Sequence, residues 1–324
     1  MSDSAASNLR RAPAEEPSRD SWEEFLGGVA GAGPFHLPEW RRALLSTHPS
    51  LRDRTLWIEQ GGRIRAALPG LERPRFGLAR VSSMPYGTPG GVWLRDPGDR
   101  DAAVTLLAEF SRRHARPWND SIVVDHQAIL PEAWVAHAWP SARARPGETH
   151  ALELPPSEDA LEALWERRTR KACRRAASLG VTVERCAEGE GTAEFESFHE
   201  REGRARRMRF RYPAALLLAG ERQGWLAVWR ARREGRTLAV TAVTEGFGTL
   251  FLWLVAHAPE AREVPSGEIL FGEILRDGVR RGLGHADFGS SGGREGPRFF
   301  KEGFGARPRA YRVWRSGPLA GGSR

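Results

Sequence analysis

Residues 226–243 read LAVWRARREGRTLAVTAV, a pattern that is typical of a β-hairpin. Two runs of small and apolar residues flank a turn that ends in Gly235 and Arg236. Residues 56–69, LWIEQGGRIRAALP, repeat this arrangement, with a Gly-Gly pair where the turn requires positive φ. The two segments indicate an internal duplication of a hairpin followed by further strands and a helix. The alternative is that any two antiparallel hairpins of this length look alike.

The length of the chain favours two domains. It has 324 residues and a mass of 36.0 kDa, and a single hydrophobic core stops growing at roughly 250–300 residues. Hairpin strands mix with helical patterns in both halves, which predicts an α+β protein. A polar, proline-containing crossing lies at Arg143–Gly147. We therefore expect a disordered arm at 1–20, an N-terminal domain at 21–147, a C-terminal domain at 148–316 and a flexible tail at 317–324.

The composition is that of a globular protein, with 40% hydrophobic and 28% charged residues. The longest uncharged apolar stretch, Gly246–Pro259, is shorter than the roughly 20 residues that cross a bilayer. The first twenty residues are polar and do not resemble a secretory signal. Cys173 and Cys186 are too few for a disulfide framework. These features predict a cytoplasmic protein without a membrane span.

The chain is basic, with a formal charge of +8 and a pI near 10.5. Such a surface attracts phosphate-bearing partners. However, only two of the 49 basic residues are lysines, Lys171 and Lys301, which is explained most simply by the codon bias of a GC-rich genome. The basicity is therefore weak support for nucleic-acid binding. A lysine retained against this bias indicates a need for a compact ammonium, and chance is the alternative.

The sequence lacks the motifs of several common enzyme classes. It contains no GxSxG elbow, no GxxxxGK[ST] loop and no GxGxxG linked to a strand. Its nine histidines are scattered, and its two cysteines form no CxxC motif. We expect neither a bound metal nor a P-loop, Rossmann or common hydrolase site.

The longest helical pattern runs from Ser157, a good N-cap, to Leu179, before Gly180. Four basic residues fall on one face of this predicted helix: Arg167, Arg170, Lys171 and Arg174. One interpretation is a solvated face in an arginine-rich protein. The other is an anion-binding ridge for the phosphates of a cofactor, substrate or RNA.

A second phosphate site is predicted where a strand at Thr249–His257 leads to a helix that opens at Ser266. The intervening loop contains Arg262, and Gly267 follows Ser266. The amino terminus of a helix presents free N–H groups and the positive end of a dipole, which suit a pyrophosphate.

The segment Asp287–Gly305, DFGSSGGREGPRFFKEGFG, is the most unusual part of the chain. Its glycines permit close approach of the backbone to a ligand. Lys301 lies between Phe299–Phe300 and Phe304, where partial burial would alter its ionisation. The alternative is a glycine-rich surface loop with a lysine anchored by its aliphatic stem.

Several segments, in order, resemble the Fem-type acyltransferases of the GNAT superfamily, which include the peptidoglycan bridge-forming aminoacyltransferases. The resemblance spans roughly residues 34 to 315. It implies two tandem GNAT-like domains, each a mixed, largely antiparallel sheet flanked by helices. The segments that carry it are PFHLPEW (34–40), SSMPYGTPGGV (82–92), RTRKACRRAASLGVTV (168–183), PSGEILF (265–271) and ADFGSSGGREGPRFFKEGFGAR (286–307).

The resemblance implies acyl transfer to an amine. Lys301 matches the lysine of the family's FK…FG motif, and we expect it to stabilise the oxyanion or a donor phosphate. Asp287 is the weaker candidate, for orienting or deprotonating the amine. Backbone N–H groups around Thr249–Trp253 are the expected oxyanion donors. The other site candidates are Arg262, Ser266, Gly267, Arg170 and Arg174 for the donor and Tyr86 for the acceptor.

The identity of the acyl donor remains open. The GNAT resemblance implies acyl-CoA, but Pro265 stands where the family's pyrophosphate loop has a glycine. Some Fem-type members use aminoacyl-tRNA instead, and the helical hairpin with which bridge-forming members grip tRNA has no obvious counterpart here. A small-molecule amine is the expected acceptor. The competing hypothesis is a non-catalytic module that binds phosphate ligands or RNA on the same fold.

Overall fold

The computed structural model describes residues 8–12, 16–75, 78–85, 88–205, 214–258, 261 and 263–318. They form two compact units, the first from residues up to Gly147 together with those from Ala310 onward, and the second from Glu148–Arg309. Residues 310–316, which the sequence analysis assigned to the second domain, are thus part of the first unit. The reason is that Arg312–Ser316 pair with a strand of that unit, at Ser121–Asp125.

The described residues contain ten α-helices. None of those in the described residues is long and apolar enough to cross a membrane. They are α1 (Arg19–Gly27), α2 (Pro38–Thr47), α3 (Arg100–His114), α4 (Glu132–Ala138), α5 (Glu158–Leu164), α6 (Arg167–Ser178), α7 (Glu190–Ala205), α8 (Ala214–Arg222), α9 (Ser266–Arg280) and α10 (Glu295–Glu302).

The strands are short in the first unit and longer in the second. They are β1 (Asn8–Arg11), β2 (Arg52–Asp53), β3 (Leu56–Gln60), β4 (Arg63–Leu68), β5 (Leu71–Arg75), β6 (Leu78–Ser82), β7 (Trp93–Leu94), β8 (Asp120–Asp125), β9 (Arg143–Glu153), β10 (Thr182–Arg185), β11 (Leu226–Arg233), β12 (Arg236–Gly246), β13 (Thr249–His257), β14 (His285–Asp287) and β15 (Arg307–Ser316).

The first unit contains two groups of paired strands. One has the order β1-β3-β4-β7, and the other has the order β15-β8-β6-β5-β2. Among these strands only β6 and β8 are parallel. The predicted hairpin is confirmed as β3 and β4, and Gly61 and Gly62 take φ of 59° and 76° at its turn. A residue with a Cβ would be strained in either position.

The prediction of a disordered arm over residues 1–20 is wrong for Asn8–Arg11. These residues form β1, which pairs with β3. Leu9 packs against the core of the first unit, and Arg10 forms a 3.4 Å ion pair with Glu59. The edge of β3 thus supplies hydrogen bonds and apolar contact that the sequence alone does not reveal. Arg19 and Asp20, at the end of the predicted arm, belong to α1. Residues 1–7 and 13–15 of the arm, and residues 319–324 of the predicted tail, lie outside the described residues.

The second unit contains one sheet with the strand order β10-β11-β12-β13-β14-β9. Only the β13–β14 pair is parallel, so the predicted mixed and largely antiparallel sheet is confirmed. The quoted hairpin is β11 and β12, which turn at Glu234 and Gly235 with φ of 51° and 76°. Both predicted hairpins are therefore present, one in each unit.

The helix predicted over Ser157–Leu179 is two helices, α5 and α6. Trp165 and Glu166 are extended between them, with ψ of 142° and 153°. The break lets the Trp165 indole, which is buried, pack against the ring of Phe304 at 5.4 Å between centroids. Local helix signals do not contain this tertiary contact, which is why the sequence predicted one helix.

Candidate active site

The predicted amino terminus of α9 lies where the sequence placed it. The helix begins at Ser266, directly after Pro265, and no side chain of a described residue caps it. Ser266 is only 1% exposed, and its Oγ has no hydrogen-bond partner among the described residues. A buried hydroxyl without a partner, beside the free N–H groups of a helix start, is an incomplete binding site for an anion.

A cleft of about 590 Å³ opens in front of this helix start. We call it the α6–α9 cleft, because α6 lines one side and Ala261 with residues 263–268 lines the other. A Cβ added to Gly267 would lie 3.3 Å from His257 Cε1 and 3.6 Å from a ring carbon of Phe300, both of which also line the cleft. Glycine at this position therefore keeps the approach to the helix start open.

The basic face of α6 is rotated from the one that the sequence predicted. Arg168, Lys171 and Arg175 line the cleft. The predicted ridge consisted of Arg167, Arg170, Lys171 and Arg174. Only Lys171 is common to both sets. α6 begins at Arg167 and buries Thr169, Cys173 and Ala176. The burial of these three residues determines which face of the helix lines the cleft.

Arg170 and Arg174, two predicted phosphate contacts, do not line the cleft. The Nη1 atom of Arg170 donates to the carbonyl oxygens of Glu162, at 3.0 Å, and of Trp165. Its guanidinium is thus engaged with backbone carbonyl groups at the junction of α5 and α6. Arg174 is exposed on another face of α6.

Lys301 is buried, with 7% of its surface exposed. Its Nζ donates a hydrogen bond to the carbonyl oxygen of Gly289 at 2.7 Å. Burial lowers the pKa of Lys301 to about 8, and the nearby Asp287 carboxylate partly opposes this shift. The alternative of a surface loop with a lysine anchored by its stem is therefore wrong for this residue.

Asp287 ends β14 and contacts the same glycine. Its Oδ1 accepts hydrogen bonds from the Thr149 hydroxyl at 2.5 Å and from the Gly289 N–H at 2.7 Å, and its Oδ2 lies 3.7 Å from the Arg309 guanidinium. Burial raises the pKa of this carboxyl. Asp287 therefore fixes the Gly289 peptide to which Lys301 binds, and the structure brings both predicted residues together.

His150 is a further residue of this site that no sequence motif indicates. Its side chain is fully buried, and its Nδ1 lies 3.4 Å from the Ser291 hydroxyl. Its Nε2 has no hydrogen-bond partner among the described residues and lies 3.9 Å from carboxylate oxygens of both Glu148 and Glu302. Burial, followed by the charge of Lys301, lowers the pKa of this imidazole. No local pattern connects residue 150 with residues 289–302, so only the fold reveals it.

The Lys301–Asp287 pair lies where two strands separate. The pairing of β13 with β14 ends at Phe251 and Asp287, while β13 continues to His257. Thr249–Phe251 belong to the paired part, so of the predicted oxyanion donors only Leu252 and Trp253 lie beyond it. The register with β12 also shifts here, between Leu252 and Leu254. The backbone N–H groups of Leu252 and Trp253 are therefore better candidates for oxyanion donors than those of Thr249–Phe251.

Two predicted site residues, Arg262 and Tyr86, lie outside the described residues. Their assignments to the donor and the acceptor stay predictions from the sequence.

We expect one of the two lysines of the chain to titrate near pH 8. Lysine side chains labelled with ¹³C at Cε give two NMR signals, and Lys171→Arg assigns them. Asp287→Asn removes a charge that favours the ammonium, so we expect it to lower the pKa of Lys301 below about 8. A Lys301 signal that titrates near the ordinary value of 10.5 would contradict the buried placement.

Comparison with known proteins agrees with this architecture. Residues 165–302 match the family model described as an acetyltransferase (GNAT) domain. No curated protein sequence matches the chain.

Three solved structures have a similar fold over nearly the whole chain. FemX is 12% identical, with a TM-score of 0.72 and coverage of 94% of this chain and 96% of its own. The tandem GNAT protein from the clavulanic acid biosynthesis pathway is 17% identical, with a TM-score of 0.60 and coverage of 98% and 100%. L-PGS from Bacillus licheniformis is 14% identical, with a TM-score of 0.59 and coverage of 95% and 94%.

The fold and the matched domain define an acyltransferase built from two tandem GNAT-like domains. Residues 165–302 match the GNAT acetyltransferase domain, and the chain as a whole has the fold of FemX and of L-PGS.

Proposed function

We propose that the protein is an N-acyltransferase that moves an acyl group from acyl-CoA, or a similar donor with a phosphate group, to a small-molecule amine. The observation that supports this donor most strongly is the α6–α9 cleft. Its wall combines the start of α9 with the buried Ser266 hydroxyl, and in the described part of the chain neither a side-chain cap for the helix nor a partner for the hydroxyl is found. Its second side carries the basic residues Lys171 and Arg175. These groups suit the pyrophosphate of a CoA thioester.

Lys171 and Arg175 are better placed for this role than Arg168. The Arg168 guanidinium donates to Glu166 and to the Phe299 carbonyl oxygen, both at 2.6 Å. It is thus already engaged in holding α10 to α6. A bound thioester would supply the activated acyl group.

A residue of the chain itself stabilises the oxyanion that develops during acyl transfer, at the point where β13 and β14 separate. We assign this role to the Lys301 ammonium, which neighbours Phe300 of the cleft in α10. We assign Asp287 a positioning role, because both of its oxygens are engaged by Thr149, Gly289 and Arg309. A cytoplasmic location is part of the proposal and is supported by the two cysteines, which form no disulfide.

Calorimetric titration with CoA tests the donor. Lys171→Met and Arg175→Met should each weaken CoA binding about tenfold, because a charged hydrogen bond contributes roughly 1.5 kcal/mol or more. Arg174→Met is the matched control on the same helix and should leave the Kd unchanged. Equal effects of Arg174→Met and Arg175→Met would contradict the assignment.

Charged tRNA is the second arm of this experiment. Acyl transfer from aminoacyl-tRNA, in a protein that binds no CoA, would replace the proposed donor with the alternative. Binding of tRNA with a steep salt dependence and no transfer of any acyl group would instead favour a module without catalytic activity.

A further inference from the structure

Acyl transfer to an amine needs a group that accepts the proton of the attacking nitrogen. The two residues already assigned to the site do not suit this step. Both oxygens of Asp287 are engaged, and at neutral pH Lys301 is an ammonium without a lone pair that could accept a proton. His150 is a third titratable group of this site, and an imidazole can accept and release a proton near neutral pH.

The backbone of His150 is held by the same peptide group that holds Lys301. The Gly289 carbonyl oxygen accepts hydrogen bonds from the His150 N–H at 3.3 Å and from Lys301 Nζ at 2.7 Å. The His150 carbonyl oxygen accepts in turn from the Phe288 N–H at 2.8 Å. The imidazole and the ammonium therefore belong to one hydrogen-bonded segment, where β9 meets the end of β14.

The two ring nitrogens of His150 have different surroundings. Nδ1 lies 3.4 Å from the hydroxyl of Ser291, which is itself buried. Nε2 lies 3.9 Å from a carboxylate oxygen of Glu148 and 3.9 Å from one of Glu302, and it has no hydrogen-bond partner in the described part of the chain. Both carboxylates attract a proton on Nε2, so the favoured neutral tautomer leaves Nδ1 as the acceptor for the Ser291 hydroxyl.

The two carboxylates connect this buried ring to solvent. The side chains of Glu148 and Glu302 are 46% and 33% exposed. A separation of 3.9 Å exceeds a direct hydrogen bond, and rotation of one side chain or one bridging water closes it. Glu302 also accepts from Arg298 Nε at 2.8 Å, so Glu148 has the greater freedom to approach the ring. A purely structural residue would avoid the cost of a buried nitrogen in this position.

We propose that His150 is the proton acceptor of the transfer reaction, with Ser291 on the side of the reacting amine and the two carboxylates on the side of solvent. The inference rests on the proposed function. As the amine nitrogen forms its bond to the acyl carbon, it gives a proton to Ser291 Oγ, and the hydroxyl proton of Ser291 passes to His150 Nδ1. The imidazolium then loses a proton to solvent by way of the carboxylates. The bond from the acyl carbon to the leaving group breaks, and the leaving group takes up one proton from solvent.

The charges around the imidazole determine the pH range of this step. β9 contributes Glu148, and α10 contributes Arg298, Lys301 and Glu302. Burial has the largest effect and lowers the pKa of His150 below its ordinary value of 6.5, and the charge of Lys301 lowers it further. His150 is therefore neutral at neutral pH and can accept a proton. The rate should fall as the pH decreases through this lowered pKa.

Steady-state kinetics over a series of pH values, at saturating donor and acceptor, test this assignment. His150→Gln should lower kcat about 100-fold at neutral pH, because glutamine cannot take up the proton and a general base contributes roughly 10²–10⁴ in rate. Glu148→Gln should move the acid limb of the kcat profile to lower pH, since the Glu148 carboxylate raises the pKa of His150 and its neutralisation removes that effect. His285→Gln, at an exposed histidine of β14, is the matched control and should change neither kcat nor the profile.

The outcomes separate this inference from the proposed function. A kcat of His150→Gln within about threefold of that of the unaltered protein would overturn the role of His150, as would an acid limb at unchanged pH in Glu148→Gln. In both cases the proposed acyl transfer stands, because the unaltered protein still performs it. If the unaltered protein transfers no acyl group, the proposed function fails, and the role of His150 fails with it.

A second variant keeps the test decisive if His150→Gln does not fold, as judged by its thermal unfolding. Ser291→Ala removes the hydroxyl next to Nδ1 and should lower kcat at least about tenfold without altering the Kd of the donor. An unchanged kcat in Ser291→Ala, together with an unshifted acid limb in Glu148→Gln, would then overturn the proposal.

Discussion

Replacing Lys301 by methionine is expected to lower kcat about 100-fold or more. The substitution keeps most of the volume of the side chain and removes its charge, and loss of one electrostatic stabiliser of an acyl-transfer reaction costs about 10²–10³ in rate. Donor binding should be nearly unchanged, because Lys301 does not line the α6–α9 cleft. The measurement is steady-state kinetics at saturating donor, with calorimetry for the donor Kd.

The other lysine provides the control. Lys171→Met should raise the KM or Kd of the donor and leave kcat at saturation nearly unaltered, since Lys171 lies in the cleft and not at the strand separation. The two variants thus remove the same charge and affect different constants. An unchanged kcat in Lys301→Met, in a protein that still binds its donor, would remove the role assigned to Lys301.

Replacing Phe304 by alanine should destabilise the second unit by about 3–5 kcal/mol. Phe304 is fully buried, and its ring contacts four others. The centroid distances are 5.4 Å to Trp165, 6.3 Å to Phe271, 6.0 Å to Phe288 and 5.3 Å to Phe300. Alanine would leave a cavity among these rings, and the rings hold the end of α10. For a unit of this size the loss corresponds to a fall in Tm of about 10 °C.

Phe299→Ala is the matched control: Phe299 lies in α10, and Phe304 follows the end of that helix. Phe299 is 59% exposed, so its removal should cost less than about 1 kcal/mol. Thermal unfolding followed by circular dichroism measures both variants. Similar Tm values for Phe304→Ala and Phe299→Ala would show that the ring contacts do not stabilise the unit as argued.

The sequence predicts those features that depend on local chemistry. Both hairpins form at the glycine-containing turns, since positive φ is required there and only a few residue types tolerate it. The start of α9 at Ser266 is likewise as predicted. The orientation of α6 was not predictable, because burial of Trp165 against Phe304 breaks the helix and resets the face behind it. As a result, Arg175 lines the cleft, and the predicted Arg174 does not.

Half of the candidate site depends on contacts between residues far apart in the chain. Asp287 and Lys301 were accessible from the sequence, because an unusual glycine-rich segment contains both. Thr149 and His150 were not, since β9 reaches β14 only through sheet pairing. Burial, which sets the ionisation of Lys301 and His150, is a property of the folded unit and has no local signature.

The environment of Lys301 also determines how readily activated acyl groups modify this side chain. An amine with a pKa of about 8 has a free lone pair in many molecules once the pH exceeds 8, and it then competes with the true acceptor for activated acyl groups. Well below that pH nearly all molecules carry the ammonium, which cannot act as a nucleophile. Autoacylation should therefore increase with alkalinity, limited by the burial of the Lys301 side chain.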